Sequence, residues 1–400
     1  MKKIAILLGA DLSDGRTIRG GVVVVAEFII RQLVKTGVYE PFLISTAVSH
    51  NDQNSVRLLS PSTWHRGVTV TEGSWKGIPM WHVGACFSDL EFQRYLPRSV
   101  LTDLLRGFDL IQVVAGSPAI GYALRDIDVP ICLQMATTAR NEREHLLRNA
   151  PLLRKFVGLG MLPIVTTLEK KALHLADHIF ADTSYTADAI KSYVIDSKVT
   201  VDTIGVDVTK FSPAKERSED FILCTGRLSD PRKNIRMLFQ AYAFLSARNL
   251  DCPRLLLAGM TGPTAADWKC AQDLGIRDKI SFMQSVSAEQ LVKLYQNALC
   301  FVLSSDEEGL GIVLLEAMSC GTPVVSTACG GPDSVVEPGA GLLTPVGDPL
   351  AFAAGIEFLL KNAPIRQRMG EAARKLVERR FADEVVAQKY LNVFDCLLRT

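Results

Sequence analysis

The chain is 400 residues long and 48% of its residues are hydrophobic, which is enough to fill the cores of roughly two or three domains. Its 44 Lys and Arg residues balance 43 Asp and Glu residues, so a net charge of +1 argues against a nucleic acid partner. The nine cysteines are scattered along the chain, and no two of them form a CxxC motif. This pattern argues against a disulfide framework and against a zinc site, and it favours a cytoplasmic location.

Short apolar segments alternate with helical patterns along the whole chain. The first half contains the candidate strands KIAILLG, PFLIST, IPMWHV, DLIQVV, VPICLQM and DHIFA, and the second half contains FILCTG, RLLLAG, KISFM, CFVLSS, TPVVST and GLLTP. This alternation predicts an α/β protein with parallel sheets covered by helices on both faces. The opening apolar run is too short for a signal peptide, and no stretch of about eighteen apolar residues predicts a membrane span.

Residues 139–163, ARNEREHLLRNAPLLRKFVGLGMLP, mix basic and apolar side chains. This mixture fits a basic amphipathic surface in peripheral contact with anionic lipid on the inner face of the membrane. The alternative is a helix packed on its own domain with a solvated charged face. We favour the alternative because Glu142 and Glu144 dilute the positive charge.

Two cations follow the buried strand FILCTG of the second half. Arg227 comes directly after this strand, and Lys233 precedes the helical pattern NIRMLFQAYAFL. Ligands of open parallel sheets bind at the carboxyl ends of the strands, and one Arg with one Lys can neutralise a diphosphate without a metal. The alternative is a solvated loop that carries ordinary surface cations.

Two carboxylates flank a glycine turn in the segment SSDEEGLGIVLLEAM, Ser304 to Met318. Glu308 precedes an apolar and therefore buried helix, and Glu316 lies about a turn and a half inside it. The amide groups of a buried helix start favour an anion such as a phosphate. Glu316 needs hydrogen-bond donors, which a ribose diol supplies; the alternative is a structural ion pair with a Lys or Arg.

Further ordered motifs surround these residues in the second half. They are GRLSDPRKN at 226–234, the glutamate pair, EAMSCGTPVVST, the glycine pair at 330 and 331, GLLTPVGDP at 341–349 and MGEAARKLVERRF at 369–381. Together they resemble the donor domain of the retaining glycosyltransferases of family 4. The resemblance implies the GT-B fold, in which two Rossmann-like parallel-sheet domains face each other across a cleft.

The resemblance also implies a domain organisation. Residues 1–205 are expected to form an acceptor-binding domain, residues 206–380 a donor-binding domain, and residues 381–400 a helix that crosses back to the first domain. The segment DTIGVDVTKFSP, Asp202 to Pro213, resembles the hinge of the family.

Site roles follow from the same resemblance. Arg227 and Lys233 are expected to bind the donor diphosphate, Glu316 the ribose and Glu308 the transferred sugar; we take Arg227, Lys233 and Glu308 as the catalytic residues. The other expected donor-binding residues are Gly20, Gly21, Met283, Gly309, Leu310, Gly311 and Ile312. No metal and no cofactor beyond the nucleotide sugar are expected.

The first half departs from the family at one position. Many members carry a histidine near the position of Ala136, but no histidine lies between Gln134 and Arg140. His145, the nearest one, is expected on a helix with a different environment. Candidate replacements for this histidine are Thr137, Thr138 and Arg140, and Arg16 is a further candidate contact with the sugar or the acceptor.

The resemblance therefore implies a hexosyltransferase. We expect it to move a sugar from a UDP- or GDP-sugar, with retention, to a hydroxyl of a glycan, a glycolipid or a small-molecule glycoside. Alternatives are a nucleotide-sugar epimerase, a sugar phosphorylase or a non-catalytic nucleotide-sugar binding protein. A nicotinamide dehydrogenase is disfavoured because no GxGxxG follows the first strand and the GLG at 309–311 lacks the third glycine.

Overall fold

The computed structural model describes two compact units. Its described residues are 1–10, 12, 21–47, 51–148, 152–202, 204–216, 221–248 and 251–399, with the backbone alone for 144–148 and 152–159. Unit 1 comprises Met1–Ile204 and Val386–Thr400, and unit 2 comprises Gly205–Val385. The division lies one residue before the expected boundary at 205, and the C-terminal part of unit 1 begins at Val386 rather than at residue 381.

Unit 1 is built on an eight-stranded sheet. Its strands are β1 (Lys2–Leu8), β2 (Tyr39–Thr46), β3 (Val70–Trp75), β4 (Ile78–Val83), β5 (Leu110–Ala115), β6 (Ile131–Met135), β7 (His178–Ala181) and β8 (Val199–Val201). Their order across the sheet is β3-β4-β2-β1-β5-β6-β7-β8. The helices that belong to this part of the chain are α1 (Gly21–Thr36), α2 (Ser99–Leu105), α3 (Ala139–Arg148), α4 (Leu152–Leu175) and α5 (Ser184–Ile190).

The expectation of a purely parallel sheet is wrong at one edge of unit 1. Strand β3 pairs with β4 in the antiparallel direction, whereas the other neighbours are parallel. A two-residue turn of Lys76 and Gly77, both with positive φ, joins the two strands as a hairpin. The apolar pattern of the sequence does not reveal strand β3, because most of its residues are exposed.

The last helix of the chain, α13 (Asp383–Leu397), contributes to a buried polar network inside unit 1. The hydroxyl of Tyr390 donates to the side-chain carbonyl of Gln134, whose amide donates to Asp182. The ring of Tyr390 stacks on Phe180 with the ring centroids 4.1 Å apart. These contacts fix this helix to strands β6 and β7.

Asp182 makes the stability of unit 1 depend on pH. Burial raises the pKa of Asp182 to about 8 from an ordinary value of 3.8. Between these two values the folded chain binds one more proton than the unfolded chain, so stability falls as the pH rises, by up to about 1.4 kcal/mol per pH unit. We expect Asp182→Asn, which stays neutral, to remove this slope. Urea unfolding from pH 4 to pH 8 measures it, and equal slopes for both proteins would contradict the assignment.

Unit 2 is built on a six-stranded sheet. Its strands are β9 (Phe221–Thr225), β10 (Arg254–Gly259), β11 (Ile280–Gln284), β12 (Ala298–Leu303), β13 (Val324–Thr327) and β14 (Gly341–Thr344). They are all parallel, in the order β11-β10-β9-β12-β13-β14, which is the strand order of a Rossmann domain. All six strands predicted for the second half are present, and the prediction of two Rossmann-like α/β domains is confirmed.

Helices cover the sheet of unit 2. They are α6 (Ile235–Arg248), α7 (Ala265–Asp273), α8 (Ala288–Asn297), α9 (Ile312–Ser319), α10 (Gly331–Val335), α11 (Pro349–Lys361) and α12 (Ala363–Arg380). Every residue of strand β9 is buried, as expected for a strand with helices on both faces. Helix α9 is buried along most of its length, as its apolar sequence predicts.

Candidate functional site

The candidate site lies in unit 2, where the strand order reverses. Strands β9 and β12 are neighbours in the sheet, but the chain continues from β9 to β10 on one side and from β12 to β13 on the other. Open α/β sheets bind ligands outside the carboxyl ends of the strands at such a point. The loops that follow β9 and β12 carry the predicted cations and Glu308, respectively.

Lys233 and Glu308, which are 75 positions apart in the sequence, form an ion pair in this place. The ammonium nitrogen of Lys233 lies 2.5 Å from Oε1 of Glu308, and both side chains are mostly buried. The hydroxyl of Ser305 donates to the same carboxylate oxygen. The structure thus brings two of the predicted site residues together.

Backbone and side-chain bonds join the two loops next to this pair. The amide of Asp306 donates to the carbonyl of Arg232 at 2.7 Å, and the hydroxyl of Ser304 donates to the carbonyl of Lys233 at 2.8 Å. Asn234 donates its side-chain amide to Asp306 at 2.7 Å. The position of Lys233 therefore depends on the loop after β12 as well as on its own.

Arg227 is more accessible than Lys233. Its side chain is 56% exposed, and its guanidinium lies 3.4 Å from the carboxylate of Asp230. Burial alone would raise the pKa of Asp230, but bonds from Arg232 and the charges of Arg232 and Arg227 keep this pKa below its ordinary value. A charged Asp230 steadies Arg227, and the exposed guanidinium leaves room for an incoming anion.

Glycines shape the loop between Glu308 and helix α9. Gly311 precedes the first turn of this helix with φ +84° and offers no capping side chain. A Cβ atom on Gly331 would lie 2.5 Å from the Cα of Leu310, so only glycine lets these backbones approach. The amide of Gly331 donates to the carbonyl of Glu308 at 2.8 Å. The start of helix α9 is thereby fixed beside the ion pair, with its positive end free of side-chain caps.

Glu316 lies on helix α9 and accepts a hydrogen bond from the hydroxyl of Tyr295 at 2.7 Å. The same hydroxyl lies 2.9 Å from that of Thr225, at the end of β9. Burial, with the charge of Glu316, raises the pKa of Tyr295 well above its ordinary value, so the phenol keeps its proton. Tyr295 is a partner that sequence reasoning missed, because nothing in its local sequence signals it.

We expect Tyr295→Phe to lower the stability of unit 2. The change removes the proton that Glu316 accepts and one partner of the buried Thr225 hydroxyl, which costs about 1–3 kcal/mol. Urea unfolding measures this loss. Tyr185→Phe, at a side chain on the surface of unit 1, is the matched control and should change stability by less than about 0.5 kcal/mol. Equal stability of both variants would contradict the assignment.

The remaining predicted donor residues fall in several places. Gly309 and Leu310 lie in the glycine loop, Ile312 is the first residue of α9, and Met283 is near the carboxyl end of the edge strand β11. Gly21 begins helix α1 in unit 1. Two further predictions, Gly20 and Arg16, lie outside the described residues.

The candidates for the missing histidine follow strand β6 in unit 1. The amide of Thr137 donates to the carbonyl of Gly116 at 2.9 Å, and the Thr138 hydroxyl accepts from the amide of Asn141 at the start of α3. Arg140 is exposed on this helix. The three residues are therefore adjacent at the carboxyl edge of the sheet, and their proposed contact with a sugar stays a prediction.

A buried carboxylate that sequence reasoning missed supports this edge of unit 1. Glu169, on helix α4, accepts from the hydroxyl of Ser117 and from the amide of Ala139, both at 2.7 Å. Burial raises the pKa of Glu169. The carboxylate joins the loop after β5 to the start of α3. His145 also lies on α3, as expected, but its side chain is outside the described part.

The described residues contain neither a metal-binding cluster nor a membrane-spanning helix. Across the described side chains, no group of three or more His, Cys, Asp or Glu residues is placed to hold a metal ion. No helix in the described ranges is both long and apolar enough to cross a membrane. All nine cysteines are described and are free thiols.

Comparison with protein families matches most of unit 2. Residues 206–376 match the family described as glycosyl transferases group 1. The matched segment contains Arg227, Lys233, Glu308 and Glu316. The family model thus covers both loops of the candidate site and helix α9.

Similar sequences are found among bacterial proteins that are named as glycosyltransferases or as a related synthase. A D-inositol 3-phosphate glycosyltransferase of Corynebacterium urealyticum is 33% identical over 223 residues, which are 50% of this chain and 52% of that protein. An N-acetyl-alpha-D-glucosaminyl L-malate synthase of Bacillus anthracis is 31% identical over 168 residues, 42% of this chain and 43% of that protein. The chain thus spans about half the length of the curated relatives that it matches.

Similar solved structures extend over the whole chain. Sucrose-phosphate synthase from Thermosynechococcus elongatus has a TM-score of 0.73 at 19% identity and covers 100% of both chains. HepE from Anabaena, solved in complex with UDP-glucose, has a TM-score of 0.72 at 17% identity and covers 99% of this chain and 100% of its own. These likenesses show the fold, and the predicted GT-B fold class is confirmed.

Proposed function

We propose that the protein is a hexosyltransferase, since residues 206–376 match the family described as glycosyl transferases group 1. It moves a sugar from a UDP- or GDP-sugar to the hydroxyl of an acceptor. The observation that carries this proposal is the ion pair between Lys233 and Glu308 at the point where the strand order of unit 2 reverses.

The proposed donor roles follow from charge and position. Arg227 and Lys233 bind the diphosphate, and the uncapped start of helix α9 adds the positive end of a helix dipole. Glu308 then accepts hydrogen bonds from hydroxyls of the transferred sugar, and its ion pair with Lys233 weakens. Glu316, which accepts a hydrogen bond from Tyr295, is the proposed ribose contact, because a carboxylate can accept from the two hydroxyls of a ribose.

The proposed chemistry is electrostatic. Negative charge grows on the diphosphate as the bond to the sugar breaks, and cations fixed in advance stabilise that charge without reorganisation. In our proposal the two cations suffice without a metal. The acceptor hydroxyl attacks on the face that the diphosphate leaves, the configuration is retained, and the diphosphate takes the proton of the hydroxyl.

The proposed acceptor is a small molecule, a glycolipid or a glycan with a free hydroxyl. Two relatives are named after small hydroxylated anions, inositol 3-phosphate and L-malate. We extend from them only the preference for a small acceptor. Thr137, Thr138 and Arg140 are the proposed contacts, because they lie together after strand β6 and include a cation.

Thermal unfolding with nucleotides tests the proposed function. The protein is heated with UDP, GDP or ADP, with and without magnesium, because a ligand that binds only the folded state raises its stability. We expect one nucleotide to raise the melting temperature without magnesium. If none of them does, the donor proposal is wrong; if only magnesium restores the shift, the metal-independent part is wrong.

Product analysis then separates the alternatives. The matching nucleotide sugar is incubated with acceptor mixtures, and products are detected by mass spectrometry. A transferase requires an acceptor, a phosphorylase requires inorganic phosphate, and an epimerase converts the donor without either. Tight binding without turnover identifies a non-catalytic binding protein.

The proposed location is the cytoplasm, which suits nine free thiols. Peripheral contact with anionic lipid through residues 139–163 stays a separate proposal, and part of this segment lies outside the described side chains. Flotation with vesicles of neutral or anionic lipid tests it. Protein that stays at the bottom with both vesicles would contradict the membrane contact.

A further inference from the structure

Arg232 precedes Lys233 and bonds to both loops of the candidate site. Its Nε and Nη2 atoms donate to the two carboxylate oxygens of Asp230 at 3.2 and 2.9 Å. Its Nη1 atom donates to Glu307 at 3.1 Å. We call Asp230, Arg232 and Glu307 the Arg232 cluster.

The Arg232 cluster is largely buried. The side chain of Arg232 is 16% exposed, that of Asp230 is 11% exposed and that of Glu307 is 2% exposed. A buried ion pair contributes little net stability, because desolvation offsets the attraction between the charges, but such pairs can select one conformation among several. The planar guanidinium fork suits this task, since it binds two carboxylates in fixed directions.

The cluster lies directly beside the proposed donor contacts in sequence. Arg232 and Glu307 are the chain neighbours of Lys233 and Glu308, so two ion pairs connect the same loops side by side. The backbone bond from the amide of Asp306 to the carbonyl of Arg232 reinforces the alignment. Both pairs are mostly buried, and the Lys233–Glu308 pair is the one that we propose to meet the donor.

We propose that Arg232 is a positioning residue of the donor site. Through Asp230 and Glu307 it aligns the loops after β9 and β12, so that Lys233 and Glu308 hold the geometry that the diphosphate and the sugar require. Asp230 also steadies Arg227, so the same cluster influences both proposed diphosphate cations. This inference rests on the proposed function.

The expected effect is large although Arg232 does not touch the donor. A displacement of about 1 Å in a group that orients a substrate can reduce the rate about a hundredfold. We therefore expect Arg232→Met to lower kcat/KM for the nucleotide sugar about a hundredfold. Arg232→Lys keeps the charge but loses the fork, and it should fall between this variant and the wild type.

A compensated variant separates positioning from stability. Arg232→Met leaves the buried Glu307 without its Arg232 bond, which weakens the fold; the double variant Arg232→Met, Glu307→Gln removes that charge and should regain much of the stability. We expect nucleotide affinity to stay at least about tenfold weaker in this double variant even where its melting temperature recovers. Arg236→Met is the matched control, because Arg236 forms an ion pair with Asp267 on the surface of the same unit and lies outside the site.

The test measures the affinity for the nucleoside diphosphate by calorimetry, kcat/KM by initial rates, and stability by urea unfolding. Wild-type protein that binds no nucleotide refutes the proposed function and leaves the cluster without a role. The positioning role alone is overturned under two conditions. The wild type must bind the nucleotide, and both the stable double variant and Arg232→Lys must bind the nucleotide and turn over the nucleotide sugar as well as the wild type does. If Arg232→Met does not fold, Arg232→Lys and the double variant decide in the same way.

Discussion

Replacement of Lys233 by alanine is expected to lower kcat/KM for the nucleotide sugar by about 10²–10³-fold. This is the range observed when one preorganised group that stabilises developing charge is removed. The ammonium of Lys233 is mostly buried and fixed by Glu308, and both loops hold its backbone. Alanine removes the charge, and a water molecule in its place must reorganise as the diphosphate departs. Initial rates at varied donor concentration measure the loss, and nucleoside diphosphates should stabilise the variant less.

Lys361→Ala is the control for this substitution. Lys361 lies on helix α11 of the same unit, is 66% exposed and pairs with Glu357 one helical turn away. Surface pairs of this kind contribute about 0.3–0.5 kcal/mol, so kinetics and nucleotide binding should match those of the wild type. A kcat/KM of Lys233→Ala within about twofold of the wild type would remove Lys233 from the proposed mechanism.

Gly331→Ala is expected to disrupt the donor site through steric contact alone. The added Cβ would lie 2.5, 2.6 and 2.7 Å from the Cα, N and C atoms of Leu310. Backbone atoms cannot rotate away as a side chain can, so the glycine loop and the start of helix α9 must shift. We expect a loss of about 1–3 kcal/mol in the free energy of unfolding and a strong loss of nucleotide affinity. Urea unfolding and calorimetry measure the two effects.

Gly355→Ala provides a contrast within the same unit. Its added Cβ would approach only side-chain atoms, the nearest being a methyl group of Val325 at 3.2 Å. Gly355 lies inside helix α11, where alanine is favoured over glycine by up to about 1 kcal/mol. This variant should therefore keep its nucleotide affinity. If Gly331→Ala behaves in the same way, the close approach to Leu310 does not shape the site.

The strands of unit 2 were predictable because of their burial. A parallel strand with helices on both faces must be apolar almost throughout, and FILCT and ALCFVL show this directly. The exposed strand β3 of unit 1 has no such requirement. Its hairpin depends on the turn at Lys76 and Gly77, which an apolar pattern does not reveal.

The pairing of predicted residues in the candidate site could be anticipated from the sequence, but the side chains that support this pair could not. Glycines, a cation after a strand and a carboxylate before a helix are local signals, and they identified Lys233 and Glu308. Tyr295 meets Glu316 only through the packing of α8 on α9, and Glu307 meets Arg232 across 75 positions of sequence. Such partners are selected by tertiary packing, so a single sequence carries no local mark of them.

The pairing of β9 with β12 has a consequence for the folding of unit 2. The two halves of the candidate site follow strands that are adjacent in the sheet, yet β10 and β11 come between them in the chain. Contacts of such sequence separation form late and slowly, because a long loop must close first. A nascent chain that ends before β12 carries both cations but neither glutamate. If the protein binds a nucleotide as proposed, that binding requires β9 and β12 to be paired, so it reports that the centre of this sheet has formed.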